Sequence, residues 1–177
     1  MIPGSDWPRA LLDLDARWTR RLRVAECPGL LRSMAAFLAH SGDSWFWGVG
    51  LALVWLLGSP EWRKRALFLL ISILFLAVLV LLVKFSVRRQ RPEGEWGGIY
   101  RLTDPHSFPS GHAARAAMLA VLGIGLGPPW FGAVLVAWTP LVSLARVAMG
   151  VHYLSDVVAG VVLGLLVGAV ALLFRSI

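Results

Sequence analysis

Two stretches of this chain, 66–83 and 157–174, each run for 18 residues without a charge. A hydrocarbon core about 30 Å thick takes about 20 apolar residues to cross at about 1.5 Å each, so both read as membrane-spanning helices. Composition agrees: 58% of the residues are hydrophobic and only 15% charged, against roughly 25% charged in an average soluble domain. A soluble enzyme is excluded. So are a disordered chain and, with Cys27 the single cysteine, a disulfide-stapled secreted module.

Net charge is +7, from 17 basic and 10 acidic residues. The basic residues fall into the N-terminal segment, Arg63-Lys64-Arg65, and 84–101. The first two groups suit lipid headgroups and topology, and nucleic acid is not an expected partner. Trp7, Leu11, Leu14, Trp18 and Leu22 recur every three or four residues among arginines. That spacing predicts an amphipathic helix over 6–25, lying in the membrane interface or against the protein's own spans. No cleavable leader is expected, because 1–15 lacks an uninterrupted apolar core. Pro28-Gly29 breaks the helix, and 30–40 is a possible sixth, partly embedded element. Five spans follow at about 44–58, 64–86, 111–127, 130–149 and 154–175, with tight breaks at Gly58-Ser59-Pro60 and Gly127-Pro128-Pro129. The expected fold is all-α: a polytopic transmembrane bundle of five to six spans with an N-terminal amphipathic interfacial helix. The division is 1–43 for the interfacial region and 44–177 for the bundle, with an active-site loop at 87–110.

Topology then brings distant residues together. The second span ends near Lys84 and the third begins near Ser110, so both ends lie at one membrane face. The hairpin at Pro128-Pro129 returns the chain to that face by about Arg146. Three polar clusters converge there: Lys84 with Arg91-Pro92, Pro109-Ser110-Gly111-His112, and Arg146, His152 and Asp156. Free N–H groups at a helix N-terminus, with three cations around them, favour an anion with several oxygens, phosphate being the commonest. His152 and Asp156, four apart, would share a helix face, so that the carboxylate fixes the imidazole's tautomer and leaves His152 a candidate nucleophile or base. His112 is then free to act as general acid. The one carboxylate of the three clusters is needed by a histidine, so the set is poor for a metal.

Lys84-x6-Arg91-Pro92, Pro109-Ser110-Gly111-His112 and Arg146-x5-His152-x3-Asp156 resemble the three signature motifs of the type 2 phosphatidic acid phosphatase family, integral-membrane lipid phosphatases whose core is shared with vanadium haloperoxidases. The resemblance covers about 64–175. It implies that His152 is the nucleophile forming a phosphohistidine, that Asp156 supports it, and that His112 protonates the leaving group. Lys84, Arg91, Ser110, Gly111 and Arg146 would bind the phosphoryl oxygens, with no metal or other cofactor. The family usually has serine before the third-motif arginine, where this chain has Ala145. One lost hydrogen bond costs on the order of 1 kcal/mol, up to about 3 if an oxygen is left unpaired. Activity is expected to survive, and Ser143 cannot substitute because it points elsewhere on the helix.

The expected reaction is metal-independent hydrolysis of a lipid phosphate or polyprenyl diphosphate at the membrane surface. Undecaprenyl diphosphate, phosphatidylglycerol phosphate, phosphatidate and lipid A 1-phosphate are all reasonable substrates. The alternatives are a lipid phosphotransferase using the same intermediate and a silent phospholipid-binding protein; a vanadate-dependent peroxidase is remote. Among other residues, His106 and His40 read as loop and capping residues, Arg115 as a headgroup contact or a snorkelling side chain, and Arg88, Arg89 and Arg101 as contacts to lipid or a second phosphate. The expected location is the cell (inner) membrane, multi-pass, with the site on the extracytoplasmic face. Arg63-Lys64-Arg65 and Arg175 then lie on the cytoplasmic side. Oligomeric state leaves no trace in the sequence.

Overall fold

The computed structural model describes residues 9–24, 28–94, 96 and 104–175, with side chains from Leu12 onward. Seven helices are present among them: α1 (Arg9–Arg21), α2 (Leu30–Ser41), α3 (Ser44–Leu57), α4 (Pro60–Val87), α5 (Gly111–Leu126), α6 (Pro129–Ala148) and α7 (Leu154–Leu173). The described residues form no strand; Gln90 and His106 make one isolated bridge. Trp7, Arg101, Cys27 and the side chain of Leu11 lie outside the described residues.

Prolines start the helices that follow both tight breaks, Pro60 opening α4 and Pro129 opening α6. There the missing N–H costs nothing and the fixed φ suits a helix. α4 runs 28 residues, roughly 42 Å at about 1.5 Å per residue, ample for a bilayer. α6 and α7, at 20 residues each, are also long and apolar enough to cross. The other two expected spans are shorter. α3 has 14 residues and α5 has 16, roughly 21 and 24 Å at about 1.5 Å each, less than a full hydrocarbon core. Both begin at the expected residue, after Asp43 and Ser110, and end one residue inside the expected bound, before Gly58 and Gly127. The stretch expected at 30–40 is the 12-residue α2, whose Ala35 and Ala39 pack with Ala145 and Met149 against the end of α6.

α5 is the axis of the bundle. It is buried from Ala113 to Ala120, and its many alanines let the other helices approach closely. α7 lays Gly160, Gly164 and Gly168 along it: a Cβ on Gly164 would fall 2.0 Å from the Ala114 carbonyl oxygen, and one on Gly160 2.4 Å from that of Ser110. Small residues four apart permit such backbone contact between helices in a membrane. On the other side, Leu69, Ile73, Leu76 and Val80 of α4 join Met118, Leu119 and Leu122 of α5 in the main core. The outer face of α4 leaves Leu67, Ile71, Leu74, Phe75 and Val78 about half exposed or more. An apolar surface of that extent marks a lipid-facing helix rather than a soluble domain. The protein is an all-helical integral membrane bundle.

α1 packs by its polar side. Thr19 is buried and accepts the Leu154 N–H at 3.1 Å, while Asp15 accepts the Ser155 N–H at 3.0 Å. These two side chains satisfy free N–H groups at the start of α7. Leu14, Trp18 and Leu22 face outward, 39–47% exposed, so the apolar face is not the one packed on the bundle.

Candidate active site

The three motifs meet where the helices end. The Ser110 N–H donates to the Asp156 carbonyl at 2.9 Å, joining the start of α5 to the start of α7. Arg91 reaches from the loop after α4 to the Val151 carbonyl at 2.8 Å, and its Nη1 stands 3.3 Å from His152 Nε2. Beside them is a cavity of about 310 Å³. Lys84, Asp104, Gly111, His112, Arg115, Arg146 and His152 form its polar wall, and Ile73, Leu76, Val80 and Leu81 of α4 form an apolar one. One cavity thus holds two imidazoles, several cations and a greasy side.

Lys84 and Arg91 converge on one carboxylate, Asp104. Lys84 Nζ bonds it, and Arg91 Nη2 lies 2.8 Å from the same oxygen while Arg91 Nε donates to the Asp104 carbonyl at 2.7 Å. Nothing in the sequence motifs marked Asp104. Arg146 is 1% exposed on the last turn of α6. Ser110 is fully buried, and its hydroxyl accepts the Ala113 N–H as the cap of α5; its side chain is not part of the cavity wall, whereas Gly111 is. Ala145 packs against α2, and the Ser143 hydroxyl is buried without a hydrogen bond.

His152 lies in the loop before α7, not on the helix with Asp156 as the spacing suggested. A glycine two residues earlier, Gly150 with φ 65°, turns the chain there. The His152 Nδ1 to Asp156 Oδ2 distance is 3.6 Å, an ion-pair separation longer than a hydrogen bond. The carboxylate is held elsewhere: Oδ2 accepts the Tyr153 N–H at 2.8 Å, closing a capping box, and Oδ1 accepts from Arg89 at 2.7 Å. His152 is 1% exposed. Burial, reinforced by the positive charges of Arg146, Arg91 and Lys84, pushes its pKa well below 6.5, so the imidazole is neutral with a lone pair at physiological pH.

Several side chains do work that the sequence did not disclose. Arg89, read as a contact to lipid or a second phosphate, instead bridges Asp156, Ser155 and Asp15 at 2.6–2.7 Å and stacks 4.0 Å over the Tyr153 ring. Arg115, on the cavity wall, is held by the turn between α2 and α3. It turns back to the buried Gly42 carbonyl, which would otherwise lack a partner for its lone pairs, and donates to the Ser44 hydroxyl at 2.6 Å. Asp43, between α2 and α3, bonds His112 Nε2 at 2.7 Å and His40 Nδ1 at 3.1 Å. Burial raises the pKa of Asp43, but hydrogen bonds from His112 and His40 outweigh it and hold the carboxyl well below the usual carboxylate range. The only available signal was the i,i+3 spacing of His40 and Asp43. His106 packs edge-on against Phe85, and Arg88 folds onto the Phe85 carbonyl at 2.9 Å. Among the described residues no three His, Cys, Asp or Glu side chains are grouped to hold a metal ion.

Comparison with known proteins gives the family and the fold. The model of the PAP2 superfamily matches residues 65–176. The decaprenylphosphoryl-5-phosphoribose phosphatase of Mycobacterium tuberculosis is 35% identical over 151 residues, covering 83% of this chain and 81% of that protein. The undecaprenyl-diphosphatase of Sulfolobus acidocaldarius is 34% identical over 138 residues, covering 76% of this chain and 66% of its own. The crystal structure of a transmembrane PAP2 type phosphatidylglycerolphosphate phosphatase from Bacillus subtilis has a TM-score of 0.76 at 23% identity, covering 94% of this chain and 87% of that one. At that identity the likeness is one of fold.

Proposed function

This chain is a lipid phosphatase of the PAP2 superfamily, and from that premise we propose that it hydrolyses a polyprenyl phosphate or diphosphate, or a related lipid phosphate, through a phosphohistidine on His152. The observation that carries the reading is the cavity itself: His112 and His152 line one space with Lys84 and Arg146, and that space continues onto the apolar face of α4. A phosphate ester of a lipid needs both surfaces. The polyprenyl substrates named for the two relatives favour that class of chain.

In the first step His152 Nε2 attacks phosphorus in line with the ester oxygen. The P–O bond breaks, and His112 gives its proton to the departing oxygen. Lys84, Arg91, Arg146 and the N-terminal amides of α5 at Gly111 bind the phosphoryl oxygens, and Ser110 contributes by capping that helix end. Water then attacks the phosphohistidine with His112 as base, releasing orthophosphate and restoring both imidazoles. Asp156, anchored by Arg89 and the Tyr153 N–H, orients His152 from 3.6 Å, a distance that shortens when the imidazole becomes charged. No metal or organic cofactor enters. The enzyme works in the cell membrane with the site on its outer face.

Phosphate release from phosphatidate and from a polyprenyl diphosphate, in detergent with excess EDTA, tests the reading. The wild type turns over, and His152→Ala loses at least about 1,000-fold in kcat. Because His152 must be neutral to attack and its pKa is lowered from 6.5, the acid limb of kcat/KM, where His152 becomes protonated, lies below pH 6.5. Strict dependence on Mg²⁺, or full activity in His152→Ala, overturns the mechanism. Phosphorylated lipid acceptor in place of free phosphate identifies a transferase.

A further inference from the structure

An aspartate at the N-cap of a helix ordinarily spends its carboxylate on the first free N–H groups of that helix. Asp43 holds the N-cap position of α3 and makes no such bond. Both of its oxygens go to imidazoles, Oδ1 to His112 and Oδ2 to His40. We propose that Asp43 is a positioning residue for His112, fixing the ring so that Nδ1 serves the leaving oxygen and stabilising the imidazolium that donates the proton, with His40 steadying the carboxylate. The proposal rests on the phosphatase reading above and assigns a role outside the three motifs.

The turn that carries Asp43 is fastened on three sides. Arg115, one turn after His112 on α5, grips the Gly42 carbonyl and the Ser44 hydroxyl on either side of Asp43. The Trp138 indole donates to the Ser41 hydroxyl at 2.9 Å, tying the same turn to α6. The Asp43 N–H donates to the His40 carbonyl at 2.9 Å. Gly42 sits so close to His112 that a Cβ there would lie 3.0 Å from its ring. A carboxylate held this firmly imposes one ring orientation.

Charge explains why the ring needs it. Arg146 from α6 and Arg115 from its own helix both bring positive charge to His112. Lys84, Asp104 and His152 share the cavity wall with it. Asp43 supplies the opposing negative charge in direct contact. During the first step the proton passes from His112 to the alkoxide oxygen as the P–O bond breaks. Asp43 stays ionised throughout, and the neutral His112 then takes a proton from the attacking water.

The test uses the full-length protein in detergent, comparing wild type, Asp43→Asn and Asp43→Glu. Asparagine keeps the shape and the N-cap chemistry but not the charge. With phosphatidate, whose leaving group is a poorly stabilised alkoxide, Asp43→Asn is expected to lose about 100-fold in kcat with KM within about threefold. The basic limb of its pH profile moves down by about one unit, and Asp43→Glu recovers part of the rate. Histidine-selective ¹⁵N NMR gives an activity-independent reading: the titration of His112, assigned by its loss in His112→Asn, moves to lower pH in Asp43→Asn. Unchanged kcat and an unmoved His112 titration overturn the proposal, as does a loss expressed only in KM or thermal stability. If no variant, wild type included, releases phosphate while the His112 titration still moves, the phosphatase reading fails and the positioning role stands.

Discussion

Asp104 shows how a single residue sets the strength of an anion site. Its carboxylate pairs with both Lys84 and Arg91 and is 38% exposed on the cavity wall. A phosphoryl group bound by the same cations has to displace it or share them against like-charge repulsion. Lys84 and Arg91 are buried, but the exposure of Asp104 itself lets water screen the pairing, so its competition with a bound anion is worth on the order of 1 kcal/mol. Asp104→Asn is therefore expected to bind the phosphoryl mimic vanadate about three- to tenfold more tightly, read as a lower inhibition constant. A weaker constant would mean that Asp104 orders the two cations for phosphate rather than competing with it. The motif residues were legible because phosphate chemistry demands their types at fixed spacing. Asp104, Asp43, Arg89 and Asp15 were not, since each has a partner between 20 and 140 positions away, and no local pattern encodes such a pairing.

At the scale of elements, the position of His152, the proposed nucleophile, depends on how tightly α7 lies on α5. The backbone bond from Ser110 to Asp156 is possible only because glycines at 160, 164 and 168 let the two helices nearly touch. Gly164→Val would drive side-chain atoms into the Ala114 carbonyl, where the first of them would stand 2.0 Å away. Overpacking of this kind costs about 1–3 kcal/mol or more. The expected result in detergent is a melting temperature lower by roughly 3–10 °C and reduced kcat, as the third motif moves off the second. Val158→Ala, on the exposed face of the same helix, should change stability by no more than about 0.5 kcal/mol. Equal effects at the two sites would show that the glycine contact does not hold the site together. Helix existence and hairpin breaks were readable from apolar runs and prolines. So was the brevity of α3 and α5, whose expected bounds of about 44–58 and 111–127 fall within one residue of those observed; which helix packs on which was not, because an apolar run does not name its neighbour.

For the whole molecule, the open question with the largest consequence is which side of the membrane the cavity opens to. The structure puts the 87–110 loop, the start of α7 and the polar side of α1 together at one face, through Arg91–Val151, Asp15–Ser155 and Thr19–Leu154. The hairpin 58–60 lies at the other end of α4, 28 residues away along one helix. Much of the positive charge at the cavity face is engaged internally: Arg89 on Asp15 and Asp156, Lys84 and Arg91 on Asp104, Arg115 on the α2–α3 turn. These cations have a chemical task, so they are weak witnesses to orientation. Arg63 and Lys64 are exposed and Arg65 half-buried next to a short hairpin, where basic residues favour a loop on the cytoplasmic side. That distribution of charge is the ground for proposing an external cavity. With Cys27→Ser as background, Gln90→Cys and Ser59→Cys place single thiols at exposed positions on opposite faces. A membrane-impermeant maleimide added to intact cells is expected to label Gln90→Cys at once and Ser59→Cys only after permeabilisation. The reverse pattern would put the cavity on the cytoplasmic side and make the arginines of α1 the dominant topogenic charge. Labelling of both from one side would contradict the bundle's passage through the membrane between them.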